Sequence, residues 1–209
     1  MNNLANKTIE SLMNNGFNVR YVNDRKEAFD VFWEIYNELK PKTISWGDSL
    51  TLQSVNLLDH LRKLPGVEFI ETFHDTFSWE EKFDHRRKAL TAELFLTGCN
   101  AITSRGQLVN LDMIGNRTSP IGFGPKNVVL FVGINKITET LIDGMDRVRK
   151  IAAPLNAKRH ESLTTPCQKT GECSDCNSLD RICNTWSITE KSYPKGRITV
   201  ILIDESLGL

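Results

Sequence analysis

Apolar and polar positions alternate along this chain with two different periods. At residues 17–22 (FNVRYV) apolar side chains recur at every second position, the mark of a strand with one buried face. Residues 2–15 ahead of it read as a short polar helix ending at Asn15-Gly16. Asn23-Asp24 then opens a second helix, with Glu27 in capping-box position and Ala28, Phe29, Phe32, Ile35, Tyr36 and Leu39 at helical spacing until Pro41 stops it. Residues 43–46 form the next strand. Gly47, Asp48 and Ser49 turn from it into a helix expected to run through Val55, Leu58 and Leu61 to Pro65-Gly66, followed by a strand at 67–70.

The alternation continues to the end of the chain. Ser78 and Glu81 form a capping box for a helix reaching about Leu90. An apolar run at 94–96 leads to residues 100–104, a hairpin tip at Arg105-Gly106 and a return strand at 107–111. After a glycine-rich loop at 115–125, residues 128–132 (VVLFV) are apolar throughout, as in a strand buried on both faces. A last long helix is expected from a cap at Thr138 through Leu141, Ile142, Met145, Val148 and Ala152 to Pro154, and residues 197–203 make the final strand. Strands alternating with amphipathic helices predict an α/β fold with a mostly parallel sheet flanked by helices. No repeat or linker divides the sequence, so one domain over residues 1–209 is expected.

Composition changes this picture little. Lys plus Arg equals Asp plus Glu at 26 each, which gives no global attraction to nucleic acid. The first residues carry no apolar signal-peptide core, and no apolar run approaches the ~18 residues of a membrane span. A soluble, cytoplasmic protein with reduced thiols is the expectation.

Cysteine changes it more. Four of the five cysteines, Cys167, Cys173, Cys176 and Cys183, fall within residues 165–184, spaced C-x5-C-x2-C-x6-C and inserted before the last strand. A thiolate tetrad suits zinc or an iron–sulfur cluster, because soft sulfur ligands fit both. Clustered thiols without secretory features favour metal over two disulfides or scattered free thiols. Structural zinc prefers two tight knuckles, and only Cys173 and Cys176 form one; the uneven outer spacing favours a [4Fe–4S] cluster, with zinc as the alternative. Cys99 reads as a small buried residue rather than a fifth ligand. The four histidines lack metal-binding spacing, and neither a dinucleotide nor a Walker motif is present.

Ligands of open α/β sheets bind beyond the carboxyl ends of the strands. Three loops have that placement. Gly47, Asp48, Ser49 and Thr51 offer close backbone approach and hydroxyls, although Asp48 or Ser49 also fits an ordinary helix cap. Asn110, Asp112, Asn116 and Arg117 concentrate polar groups after a strand, with Arg117 as a carboxylate or phosphate clamp; Asx turns also account for the Asn and Asp residues but not for Arg117. Asn135 and Lys136 follow the VVLFV strand and can reach the same crevice, although a solvated lysine ahead of a helix is the competing reading. Glu93 reads as a surface carboxylate. The expected ligand is a small molecule bearing a carboxylate or phosphate.

The segments TISWGDSLT (43–51), LTGCNAITSRGQLVNLD (96–112), GNR (115–117) and FGPKNVVLFVGINK (123–136) resemble the LUD domain family of lactate-utilisation proteins, over roughly residues 5 to 205. The resemblance implies a fold like the sugar-phosphate isomerase (NagB/RpiA) and CoA-transferase superfamily. It also implies a part in oxidising L-lactate to pyruvate, as one iron–sulfur redox component among other lactate-utilisation subunits. The four-cysteine loop marks a branch of its own. A small-molecule-binding or CoA-transferase-like enzyme with a structural zinc, or a non-catalytic regulatory or assembly subunit, are the alternatives.

Overall fold

The computed structural model describes residues 3–209, so the expected helix start at Asn2 lies outside the described residues. Helix α1 (Asn3–Asn14) leads into β1 (Asn18–Val22), and α2 (Arg25–Leu39) into β2 (Thr43–Trp46). Two short helices, α3 (Leu50–Ser54) and α4 (Leu58–Arg62), precede β3 (Glu68–Ile70), and α5 (Trp79–Ala89) precedes β4 (Leu94–Gly98). Then come β5 (Ala101–Thr103), β6 (Leu108–Asp112), α6 (Thr118–Gly122) and β7 (Asn127–Gly133). A 3-10 turn at Ile134–Lys136 joins β7 to β8 (Ile137–Thr138). The chain closes with α7 (Leu141–Arg147), a π turn (Val148–Ala152), α8 (Ala153–Lys158), α9 (Pro166–Thr170), β9 (Thr185–Thr189) and β10 (Ile198–Ile203).

Six strands form one sheet in the order β1-β10-β7-β4-β2-β3, with all neighbours parallel. The VVLFV run lies inside it, every residue from Val128 to Val132 fully buried. Alternate side chains of these strands serve opposite faces, as the pleat requires. Val129, Phe131, Leu94, Leu96 and Ile201 pack with Phe32 of α2 and the apolar residues of α3 and α4. Val128, Leu130, Val132, Phe95 and Val200 pack with Leu12 of α1, Ile121 of α6 and the inner residues of a second sheet. That second sheet, in the order β8-β5-β6-β9, turns Ala101, Val109 and Leu111 outward against Val148 and the partly buried Leu141 and Met145. The α/β architecture is the expected one, and the second sheet is an addition to it.

Several expected boundaries shift for identifiable reasons. The helix expected from Leu50 to Leu61 is broken, because Asn56 adopts a left-handed φ of 61°, which asparagine tolerates. Thr138 caps nothing and belongs to β8; the cap is Thr140, whose hydroxyl accepts from Asp143 N–H while Asp143 accepts from Thr140 N–H. Pro154 does not end the helix. It stands at the start of α8, directly after the π turn, and that wider turn relieves the missing donor and ring crowding a proline brings to an α-helix. The cysteine segment precedes β9, which pairs antiparallel with β6, rather than the last strand directly. The caps at Asp24, Ser49 and Ser78 stand as read, and so does the hairpin at Gly106, where φ is 75°. No helix among the described residues is long and apolar enough to cross a membrane.

Candidate functional site

The carboxyl ends of β2, β4 and β7 lie side by side, since Trp46 is in register with Leu96 and Gly98 with Phe131. Above them a cavity of about 310 Å³ is lined by Asp48 and Ser49 after β2, Gly98, Cys99 and Asn100 after β4, and Lys136 after β7. Asp112, Asn116 and Arg117 form a second wall, and Arg159 of the segment after α8 together with Cys183 a third. Phe73, Trp79 and Arg86 stand at the front.

Lys136 is the unusual group. Its side chain is only 5% exposed. Its Nζ donates to Thr51 Oγ1 at 3.0 Å and ion-pairs with no carboxylate among the described residues. Burial pushes its pKa from the ordinary 10.5 down to about 7; the Cys99 thiol opposes this more than either nearby guanidinium, Arg147 or Arg117, adds to it. Burial likewise pushes the Cys99 thiol up, and Sγ contacts the Ala101 carbonyl at 2.9 Å. A strongly shifted lysine in a cleft is a functional-site marker.

Arg86 is the second incompletely satisfied cation. Its guanidinium sits 4.8 Å from the Phe73 ring centre, its Nε is buried without a hydrogen-bond partner, and no carboxylate pairs with it among the described residues. Arg117, by contrast, is engaged. Its Nε and Nη2 donate to Asp112 Oδ1, and Nη2 also donates to Asn100 Oδ1 and the Leu111 carbonyl. Asp112 Oδ2 in turn accepts from the main-chain N–H groups of Arg117 and Thr118. Arg159 reaches Asp48 at 3.4 Å. Leaving aside Lys136, which is only partly charged at neutral pH, the lining carries Arg86, Arg117 and Arg159 against Asp48 and Asp112, a cationic excess that suits an anion.

The expected site residues divide into two groups. Asp48, Ser49, Asp112, Asn116, Arg117 and Lys136 face the cavity. Gly47, Thr51, Asn110 and Asn135 stand behind it. A Cβ on Gly47 would meet Arg117 Cγ at 2.7 Å, so this glycine makes room for Arg117 rather than for a ligand. Thr51 supports Lys136, Asn110 Oδ1 accepts from Asn100 N–H, and Asn135 Oδ1 accepts from Leu207 N–H. Lys136 is buried in the 3-10 turn and does not precede a helix as a solvated side chain. The motif TGCN at a strand's carboxyl end was the available signal for Gly98, Cys99 and Asn100; Arg86 and Trp79 in a polar helix offered none.

Gly98 fixes the cavity floor. A Cβ there would stand 2.3 Å from Ser49 Oγ, the cap acceptor for Leu52 N–H. Gly98→Ala is therefore expected to cost about 1–3 kcal/mol in urea unfolding through overpacking and the displaced cap.

The four clustered cysteines are all free and partly exposed. Arg181 gathers their segment: it donates to the carbonyls of Cys176 and Cys183 and pairs with Asp175, as Arg149 does from the π turn. Burial raises the Cys183 pKa; Arg181 opposes this, and the neighbouring Cys173 and Cys176 add to it. The donor set is that of a thiolate-bound zinc or iron–sulfur centre, flanked by two guanidiniums that can offset its negative charge. Among the described residues no three His, Cys, Asp or Glu side chains converge as a metal-binding group, so such a centre requires the segment to close around it.

With this geometry in hand, comparison with known proteins is decisive at the family level. A family model for the LUD domain matches residues 5–203. The chain belongs to the LUD domain family. A crystal structure of a DUF162 family protein from Deinococcus radiodurans shares this LUD fold with a TM-score of 0.53 at 16% identity, covering 96% of each chain. A search of curated proteins gave no match to this LUD chain. The family is associated with lactate utilisation, and at that identity the structural likeness concerns fold alone.

Proposed function

We propose that this LUD protein holds a small carboxylate- or phosphate-bearing ligand in the cationic cleft and acts as an iron–sulfur redox component in the oxidation of a 2-hydroxy acid such as L-lactate, together with other subunits of that system. One observation carries the reading: Cys183 belongs to the wall of the same cavity as Lys136 and Arg86. Cys167, Cys173, Cys176 and Cys183 would hold the [4Fe–4S] centre, which when bound supplies one-electron acceptance.

The chain's own residues do the rest. Arg86 has a free buried donor and Lys136 a cavity-facing amine, and these are the groups to receive an anion's oxygens. Asp112 keeps Arg117 and the 112–118 loop in place without itself meeting the ligand's charge. Trp79, Met113 and Ile114 give the cavity mouth apolar surface that sheds water.

The test is anaerobic reconstitution of the full chain with iron and sulfide. The expected result is the broad visible absorption of a thiolate-bound cluster, lost in Cys183→Ser and perturbed by L-lactate or pyruvate. A colourless protein holding one zinc would overturn the redox reading and leave a structural clip beside a ligand-binding cleft.

A further inference from the structure

Lys136 is built for more than electrostatic attraction. An ammonium carries three donors, yet Nζ has a single hydrogen-bond partner among the described residues, the Thr51 hydroxyl. Thr51 Oγ1 itself reaches the Leu207 carbonyl at 3.2 Å. With the hydroxyl proton directed there, Thr51 acts as an acceptor toward Nζ and leaves the nitrogen lone pair uncommitted. The charged and titratable groups around it are Arg117 from the loop after β6, Arg147 from α7 and the Cys99 thiol after β4. The two guanidiniums disfavour the ammonium and the Cys99 thiol favours it, but burial, the largest influence, tips the amine toward its neutral form. The backbone of Gly208 closes over the other side, where an added Cβ would stand 3.1 Å from Nζ. With a pKa of about 7 a large share of the amine is uncharged at neutral pH, and it is shielded from bulk water and belongs to the cavity lining.

We propose that Lys136 is a carbonyl-reactive amine that condenses with a 2-oxo acid held in the cleft. The inference rests on the anion-binding part of the reading above and needs no metal centre. The Nζ lone pair forms a bond to C2 of the 2-oxo acid. The carbonyl oxygen leaves as water with both amine protons, and the product is a neutral imine. Nothing is oxidised or reduced. The carboxylate of the same ligand requires a cation, and Arg86 supplies an unpaired one in the same cavity.

The experiment treats the full chain with pyruvate and cyanoborohydride at pH 7, where hydride adds to the imine carbon and fixes a 1-carboxyethyl group on the nitrogen. Peptide mapping is expected to find that group on Lys136 at least ~10-fold above any other lysine, because exposed lysines with pKa near ~10.4 hold well under ~1% free amine at pH 7. Lys136→Arg and Lys136→Met, each shown to be folded by circular dichroism, are expected to lose the dominant adduct. Uniform labelling of many lysines, or none at Lys136 while calorimetry still detects pyruvate binding, would overturn the covalent step and leave the anion-binding cleft standing. Absence of both adduct and binding, with L-lactate also unbound, would remove both.

Discussion

Replacing Asp112 with alanine is expected to cost about 3–5 kcal/mol of folding stability, the range for removing one partner of a buried ion pair. The Asp112 side chain is 1% exposed and its Arg117 partner 14%. One carboxylate satisfies two guanidinium nitrogens and two main-chain N–H groups at the entrance to α6. Alanine leaves all four donors without that acceptor and a guanidinium charge inside the wall of the cavity. For a chain of this size the loss corresponds to a fall in Tm of roughly 6–20 °C. Asp112→Asn keeps an acceptor oxygen and the shape but loses the charge, so its cost should be smaller. The Asp48–Arg159 pair gives the contrast: at 3.4 Å and with side chains 24% and 31% exposed, it should contribute no more than about 1 kcal/mol. Urea unfolding of Asp112→Ala, Asp112→Asn and Asp48→Ala checks the order, and a loss below about 1 kcal/mol for Asp112→Ala would show that Arg117 finds solvent instead.

That carboxylate also bears on how far the site was readable. Asp112 and Arg117 stand out in the sequence as candidate site residues because a loop following a strand has no helical use for them. Which of them faces a ligand was not legible. The pairing depends on the backbone bending back between residues 112 and 117, and a Cβ-free Gly47 on another loop makes the space for it. Lys136 shows the opposite outcome. Its position after VVLFV marked it for the crevice, but its burial comes from Thr51, Gly208 and Cys99, which local sequence does not bring near it.

The fold divides in the same way. β7 and β10 announce themselves because central parallel strands are apolar on both faces. The second sheet does not. β9 is a short, half-exposed TWSIT whose partner β6 lies more than seventy residues earlier, so only tertiary pairing makes it a strand. The π turn before Pro154 is a helix surviving a residue that ordinarily ends one, and periodicity carries no sign of it. The cysteine of the TGCN turn reads as core filler, and Cys99 is indeed buried, yet it also lines the cavity.

Lys136→Met is expected to stabilise the protein, and the gain should depend on pH in a way no packing change reproduces. An amine held near 7 in the fold and at 10.5 when exposed resists carrying its charge by on the order of 4–5 kcal/mol. Between those values the unfolded chain binds the proton and the folded chain does not, so wild-type stability rises with pH across about 7 to 10.5. Below 7 both states are protonated, the slope vanishes and the whole cost is present. Methionine has a similar length, no charge and no proton to exchange, so the variant should exceed the wild type by several kcal/mol at pH 6 and converge on it above about pH 11. The difference between the two unfolding profiles reports on this residue together with the Cys99 thiol coupled to it, since groups away from the pair titrate alike in both. Parallel profiles would mean that water or an anion keeps Lys136 charged in the fold. A protein that retains so costly a lysine at the carboxyl end of its central strand, where methionine would fit, has reason to keep an amine there, because stability given up at one buried position commonly accompanies a working site.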